Sequence, residues 1–162
     1  PQPATIPPTI TPAPAQVPVV TPAAPRREWL VPRWILVGIL SRESRSYLDE
    51  NDRVVYVDRR RGADGERGPT QIMYGTYCDF KRPGDSFAGL ESNTESALAM
   101  SERILVSHKA ALGTWEKAIR AYNAGRGNWR CAAARRYYLD VRALGHWQST
   151  PRAAPKSTKN KH

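Results

Sequence analysis

Between Trp34 and Leu40 the chain reads Trp34-Ile35-Leu36-Val37-Gly38-Ile39-Leu40, with no charged side chain. Pro32 stands near the first turn, where a missing backbone N–H costs nothing, and the run is expected to form a buried helix. A helix that is apolar on every side has to be enclosed by the rest of the chain, so this stretch restricts the fold more than any other. The run ends in Ser41-Arg42-Glu43-Ser44, which sets one carboxylate at the end of an apolar wall. Burial there disfavours the charged form and raises the pKa, the state a general acid needs. The alternative is a solvated helix-end residue paired with Arg42 or Arg45, since structural ion pairs are common.

Little of the 162-residue chain is available to enclose that helix beyond a single domain. Residues 1–25 carry no charge and repeat Pro, Ala, Thr, Val and Ile, a composition that cannot build a core. They are expected to be an extended, polyproline-like linker, either a dedicated tether or the tail of a larger protein. Charge begins abruptly at Arg26-Arg27-Glu28, and the folded domain is expected over residues 26–147. Residues 148–162 hold Pro151, Pro155 and three lysines without periodicity, and read as a flexible basic tail. The chain starts at Pro1 rather than at methionine, which suggests processing or a piece of something longer. No signal peptide or membrane span is expected, because the apolar stretch 29–40 is short and contains Pro32 and Arg33.

A formal charge of +10 points to an anionic partner, whether nucleic acid, acidic lipid or an anionic wall polymer. Cys78 and Cys131 are either one bridge or two free buried thiols, and free thiols are favoured because no CxxC spacing is present. His108, His146 and His162 are scattered, so neither a metal nor another cofactor is expected.

The folded part reads as mainly α (α+β), a helical domain with a small β-hairpin after the first core helix. The β-branched and aromatic stretch 52–58 favours a strand, 59–65 a turn, and 70–73 either a returning strand or a helix start. A loop is expected over 81–89, around Pro83-Gly84-Asp85. Ser92 and Glu95 have capping-box spacing, after which Ala97, Met100, Ile104, Leu105 and His108 line one helical face. That helix should stop at Gly113. Thr114 can cap the next, from Trp115 to Tyr122, closing at Gly125 or Gly127, and a last helix runs from about Cys131 to Leu144.

Three short motifs follow one another along the chain: Glu43-Ser44, then Gly65-x-x-Gly68-x-x-Gln71-Ile72, then Ala121-Tyr122-Asn123-Ala124-Gly125. In this order, with Tyr137 and Val141 as a closing Tyr-x-x-x-Val, the chain resembles the lysozyme-like lytic transglycosylases. These are the soluble-transglycosylase and goose-type lysozyme group of peptidoglycan-cleaving enzymes, glycoside hydrolase family 23. The resemblance covers about Arg33 to Leu144.

The resemblance implies a lysozyme-like fold and cleavage of the bond between N-acetylmuramic acid and N-acetylglucosamine. It makes Glu43 the acid that protonates the bridging oxygen and then the base for the sugar's own C6 hydroxyl, which leaves a 1,6-anhydro end. One residue serves both steps, each typically worth about 10²–10⁴-fold, and an internal nucleophile has an effective-concentration advantage over water. Ser44, Gln71, Ile72, Tyr122, Asn123 and Tyr137 become substrate-binding or cleft-shaping residues, with Tyr122 expected beside the catalytic carboxylate. Gln71 is suited to this because its amide offers both donors and an acceptor. Ordinary structural roles compete at several positions: a cap for Asn123, a core aromatic for Tyr137, core tryptophans for Trp115 and Trp129. Two positions depart from the family pattern, Ser46 where an aromatic is usual and Pro69 where Leu or Met is usual.

Asp58, Asp64 and Glu66 are candidates for a second carboxylate, which would hold a water and make the protein an inverting hydrolase. The competing expectation pairs each with the Arg59-Arg60-Arg61 run. The expected partner is a peptidoglycan glycan strand in the periplasm or cell wall, with the proline-rich segment joining a virion or secretion assembly. Rival readings are a lysozyme, a wall endopeptidase on a similar fold, and a basic nucleic-acid-binding domain. The last is disfavoured because the basic residues are dispersed and no groove-reading motif accompanies them.

Overall fold

The structure, a computed structural model, describes residues 28–57 and 61–149. Within them the order is α1 (Arg33–Ser44), β1 (Tyr47–Leu48), β2 (Val54–Val55), α2 (Tyr74–Phe80), α3 (Gly89–Ser92), α4 (Thr94–Leu112), α5 (Trp115–Ala124) and α6 (Ala132–Ser149). The fold is mainly helical, with one two-stranded antiparallel sheet. The proline-rich segment 1–25, Asp58 with Arg59 and Arg60, and the tail from 150 onward lie outside the described residues. No helix among the described residues is long and apolar enough to cross a membrane.

Helix α1 is enclosed on all sides: every residue from Ile35 to Leu40 is buried. Ile35, Leu36 and Ile39 pack with Leu105, Ile119, Tyr137 and Val141 from α4, α5 and α6. Val37 and Leu40 turn the other way, onto Leu48 and Leu98. A separate cluster of Ile72, Tyr77, Leu90, Ala97, Met100 and Ile104 anchors the long loop and α2 to α4. Each large aliphatic side chain buried in this way contributes roughly 1.5–3 kcal/mol.

The closest partner of α1 is α6, which runs antiparallel to it. Trp34 stacks on His146 at 4.9 Å near one end, and the Arg42 Nε pairs with Asp140 at 3.2 Å near the other. Between them the two backbones touch through glycines. A Cβ on Gly38 would lie 2.1 Å from the Val141 carbonyl oxygen, and one on Gly145 would lie 2.1 Å from that of Trp34. Only residues without a side chain permit that approach.

Several local expectations need shifting by a few residues. The strand expected over 52–58 is reduced to Val54–Val55, and its partner is Tyr47–Leu48 before it rather than 70–73 after it. The turn between them is built by Asp49, whose carboxylate accepts from the backbone N–H groups of Asn51 and Arg53, each at 2.9 Å. Side-chain oxygens of this kind mimic a backbone turn. Residues 61–72 form a bridged loop in which Arg67 pairs with both Arg61 and Ile72, and α2 opens directly afterwards.

The cap of α4 is Asn93 rather than Ser92: the Asn93 Oδ1 accepts from the Ser96 N–H at 3.1 Å. Asparagine is a strong N-cap, so a one-residue shift costs nothing. The expected buried face of α4 is present in full, and α4 ends at Gly113. Thr114 caps α5 through Lys117 N–H at 3.3 Å. Helix α6 continues to Ser149, past the expected Leu144. Cys78 and Cys131 are free thiols, and both are exposed rather than buried.

Candidate active site

Helix α1 closes with Arg45 in the left-handed region, the N–H groups of Arg45 and Ser46 returning to the carbonyls of Ser41 and Leu40. This termination leaves Glu43 in the last turn, facing an open cleft of about 620 Å³. The last turn is also the negative end of the helix dipole, which disfavours a carboxylate. Glu66, Gln71 and Ile72 of the long loop line the same cleft, as do Tyr122 and Asn123 at the end of α5. Three motifs that are far apart in sequence therefore share one surface.

Glu43 is half-buried, and its Oε1 accepts a 2.6 Å hydrogen bond from the Tyr137 hydroxyl. Burial raises the Glu43 pKa above its ordinary 4.5; the Tyr137 bond and the Arg42 charge pull it down, and the Glu66 carboxylate pushes it up again. Burial outweighs the rest, so the group is held toward its protonated form. Tyr137 is buried among core residues of α1 and α6, not on the cleft wall. Its hydroxyl is pushed well above the usual range, first by burial and then by Glu43, so it remains a donor.

Tyr122 shares the cleft with Glu43 and feels its charge, as expected, but makes no hydrogen bond to it. It is Tyr137 that bonds Glu43. The Tyr122 hydroxyl instead donates to the Thr70 carbonyl at 3.0 Å and pairs with the Ser101 hydroxyl at 3.1 Å, joining α5 to the long loop and to α4. Burial again raises its pKa. Tyr137→Phe should raise the Glu43 pKa further, because the lost bond favoured the ionised form. Carbon-detected NMR titration of the Glu43 carboxyl checks this: the midpoint moves to higher pH, and a midpoint unchanged or lowered would separate Tyr137 from the carboxylate.

Ser44 lies behind the cleft. It is buried, with its hydroxyl 2.7 Å from the Pro69 carbonyl and 2.7 Å from the Ser46 hydroxyl. Its place is thus to fasten the end of α1 to the loop. Ser46, one of the two departures from the family pattern, belongs to this same buried knot, and the second, Pro69, supplies the carbonyl.

Gly65 and Gly68 both have positive φ, at 88° and 76°. Gly68 also meets Leu90, whose carbonyl oxygen would lie 2.4 Å from a Cβ. Gln71 adopts a φ of 51°, a left-handed conformation that costs a non-glycine residue about 1–2 kcal/mol. Its Nε2 donates to the Gly68 carbonyl at 2.8 Å, which fixes the side chain on the cleft wall and leaves Oε1 as an acceptor. Asn123 is exposed on the rim, within α5 rather than capping it, since Gly125 forms the cap.

Of the candidate second carboxylates, Glu66 lines the cleft with Glu43 and accepts from the Asp64 N–H at 3.1 Å. Asp64 is exposed and not part of the wall; Asp58 lies outside the described residues. Of the Arg59-Arg60-Arg61 run expected to pair with these carboxylates, only Arg61 is among the described residues, and it pairs with Glu91 at 3.0 Å. Trp115 packs against the core, and Trp129 is flanked by Lys117 and Arg130.

The sequence also placed His108 only as part of a helical face and passed over Ser107 and Arg126, yet all three line the cleft. The available signal was Gly125-Arg126-Gly127, a cation between two glycines after a helix. Among the described residues no group of three or more His, Cys, Asp or Glu side chains could hold a metal ion. Comparison with protein-family models, with curated proteins and with solved structures finds no match to this chain.

Proposed function

We propose that this chain is a peptidoglycan lytic transglycosylase in which Glu43 acts first as acid and then as base. The observation that carries the reading is the Glu43 carboxyl itself: half-buried, bonded to Tyr137, raised in pKa and open to a cleft. Gln71 and Asn123 on the same wall offer the amide groups that hydroxyl and acetamido substituents require. The order of motifs from Glu43-Ser44 to Tyr122-Asn123 adds the family resemblance.

In this mechanism protonated Glu43 gives its hydrogen to the bridging oxygen as the bond from the anomeric carbon breaks. The resulting carboxylate takes the proton of the C6 hydroxyl on the same muramic acid ring. That oxygen closes onto the anomeric carbon, giving a 1,6-anhydro end and restoring the acid. No water is consumed. The glycan strand is the partner, the cell wall or periplasm the place of action, and residues 1–25 the tether to a larger wall-cutting assembly.

Glu66 favours a second reading. A carboxylate in the same cleft that acts on Glu43 through its charge could hold a water on the far side of the sugar, as an inverting hydrolase requires. Mass spectrometry of digested sacculi separates the two. Transglycosylase products are lighter by one water than hydrolase products of the same composition. Uncut sacculi would overturn both.

A further inference from the structure

Arg126 follows the Gly125 cap of α5 and lines the cleft. Its Nε donates to His108 Nδ1 at 3.0 Å and its Nη2 to the Ser107 hydroxyl at 2.9 Å. Both acceptors are uncharged. An Nδ1 that accepts a hydrogen bond carries no proton, and burial, with the Arg126 charge adding to it, pushes the His108 pKa down to about 4. The side chain is thus aimed without being neutralised.

Several arginines of the fold are neutralised by carboxylates. Arg61 and Arg67 share Glu91, Arg103 pairs with Asp85, and Arg33 with Asp52. Arg126 forms no ion pair among the described residues. Asp79 lines the same cleft but makes no ion pair with it. A guanidinium has five N–H donors, and these two bonds leave the remaining donors in a planar fork suited to a carboxylate. Arg42 and Glu66 are the charges that shift the Glu43 carboxyl, and Arg126 is not among them. Asn123, three residues earlier, presents its amide on the adjoining rim.

We propose that Arg126, clamped by Ser107 and His108, forms a carboxylate-binding subsite that selects glycans carrying an acidic substituent over neutral glycans of the same length. This rests on the glycan-cleaving reading and assigns to one residue the recognition of the acidic substituent that such a glycan carries. The acidic group would be the lactyl or peptide carboxylate borne by the sugar.

The test is calorimetric binding to full-length Glu43→Gln protein, in which nothing is cleaved. The two probes are chitotetraose and a tetrasaccharide of alternating N-acetylglucosamine and N-acetylmuramic acid, which differ in their lactyl carboxylates. A charge-assisted hydrogen bond is worth about 1.5–3 kcal/mol, so the acidic glycan should bind roughly tenfold or more tightly. In Glu43→Gln/Arg126→Gln the ratio should fall to near one, and Arg126→Lys, which keeps the charge but not the fork, should retain part of it. The preference should also shrink as salt is added. Equal binding of both probes, or a preference that survives Arg126→Gln, would overturn the subsite and leave the glycan reading standing. Binding of neither probe would overturn both.

Discussion

Sacculi treated with Glu43→Gln protein should remain intact while wild-type protein lyses them. Glutamine matches the shape of the acid and can still accept the Tyr137 hydroxyl hydrogen bond, but it has no proton to give. Removing a positioned general acid costs about 10²–10⁴-fold in rate, and in the proposed mechanism the same residue also acts as base. The variant should fold, and at neutral pH it should be more stable than wild type. Burial holds the folded-state pKa of Glu43 above its ordinary 4.5, so ionising the group costs the folded protein more than the unfolded chain. That penalty is absent below the unfolded-state pKa and grows as pH rises through the folded-state pKa. The melting temperature of Glu43→Gln should therefore exceed that of wild type at pH 7, and the gap should close as the pH is lowered toward 4. Retained lysis would remove Glu43 from the chemistry; a variant less stable at pH 7 would show that the carboxylate is not under strain.

The largest loss of stability is expected from Gly38→Ala. A methyl group there would stand 2.1 Å from the Val141 carbonyl oxygen and 2.8 Å from its Cγ1. The carbonyl belongs to helix backbone and cannot rotate aside, so α1 and α6 must separate. Overpacking of this kind typically costs 1–3 kcal/mol, and the upper end, about 3 kcal/mol, is appropriate for a backbone clash. Alanine's better helix propensity returns only about 1 kcal/mol of that. Gly145→Ala should behave alike. Because one shift of α6 relieves both contacts, the double variant should lose less than the sum of the two, an interaction that denaturant titration of the four proteins can measure. The same displacement draws Tyr137 away from Glu43, so glycan cleavage should fall by more than the folded fraction does. Full additivity would mean that the two glycines act independently.

These glycines also show where the sequence stops being informative. Gly38 stands inside an apolar run and Gly145 near the end of another helix, but nothing local states that each faces the other helix's carbonyl. The α1 burial, the α4 face from Ala97 to His108, the stop at Gly113 and the Thr114 cap were legible because they depend on spacing within one element. The sheet was not. Tyr47–Leu48 is too short for any period, and its pairing is imposed by the Asp49 turn rather than by the strand itself. At the site, the sequence pointed to Glu43, Gln71, Tyr122 and Asn123, which share the cleft. Tyr122 does stand near enough to Glu43 to feel its charge, but the hydrogen bond comes from Tyr137 on α6, which spacing within one helix could not reveal. Arg126 escaped notice for a related reason: an arginine left unneutralised looks like any other until its neighbours are known.

Tyr122 joins the long loop, α4 and α5 at a single oxygen, so the two banks of the groove share one post. Spreading them would break both bonds, each worth about 0.5–1.5 kcal/mol net, and would also expose an aromatic ring to water. The gauge of the groove is therefore held by these two bonds. Under the proposed function, a sugar ring entering it would meet a fixed template, and the deformation needed to reach a flattened, cation-like geometry would fall on the carbohydrate rather than on the polypeptide.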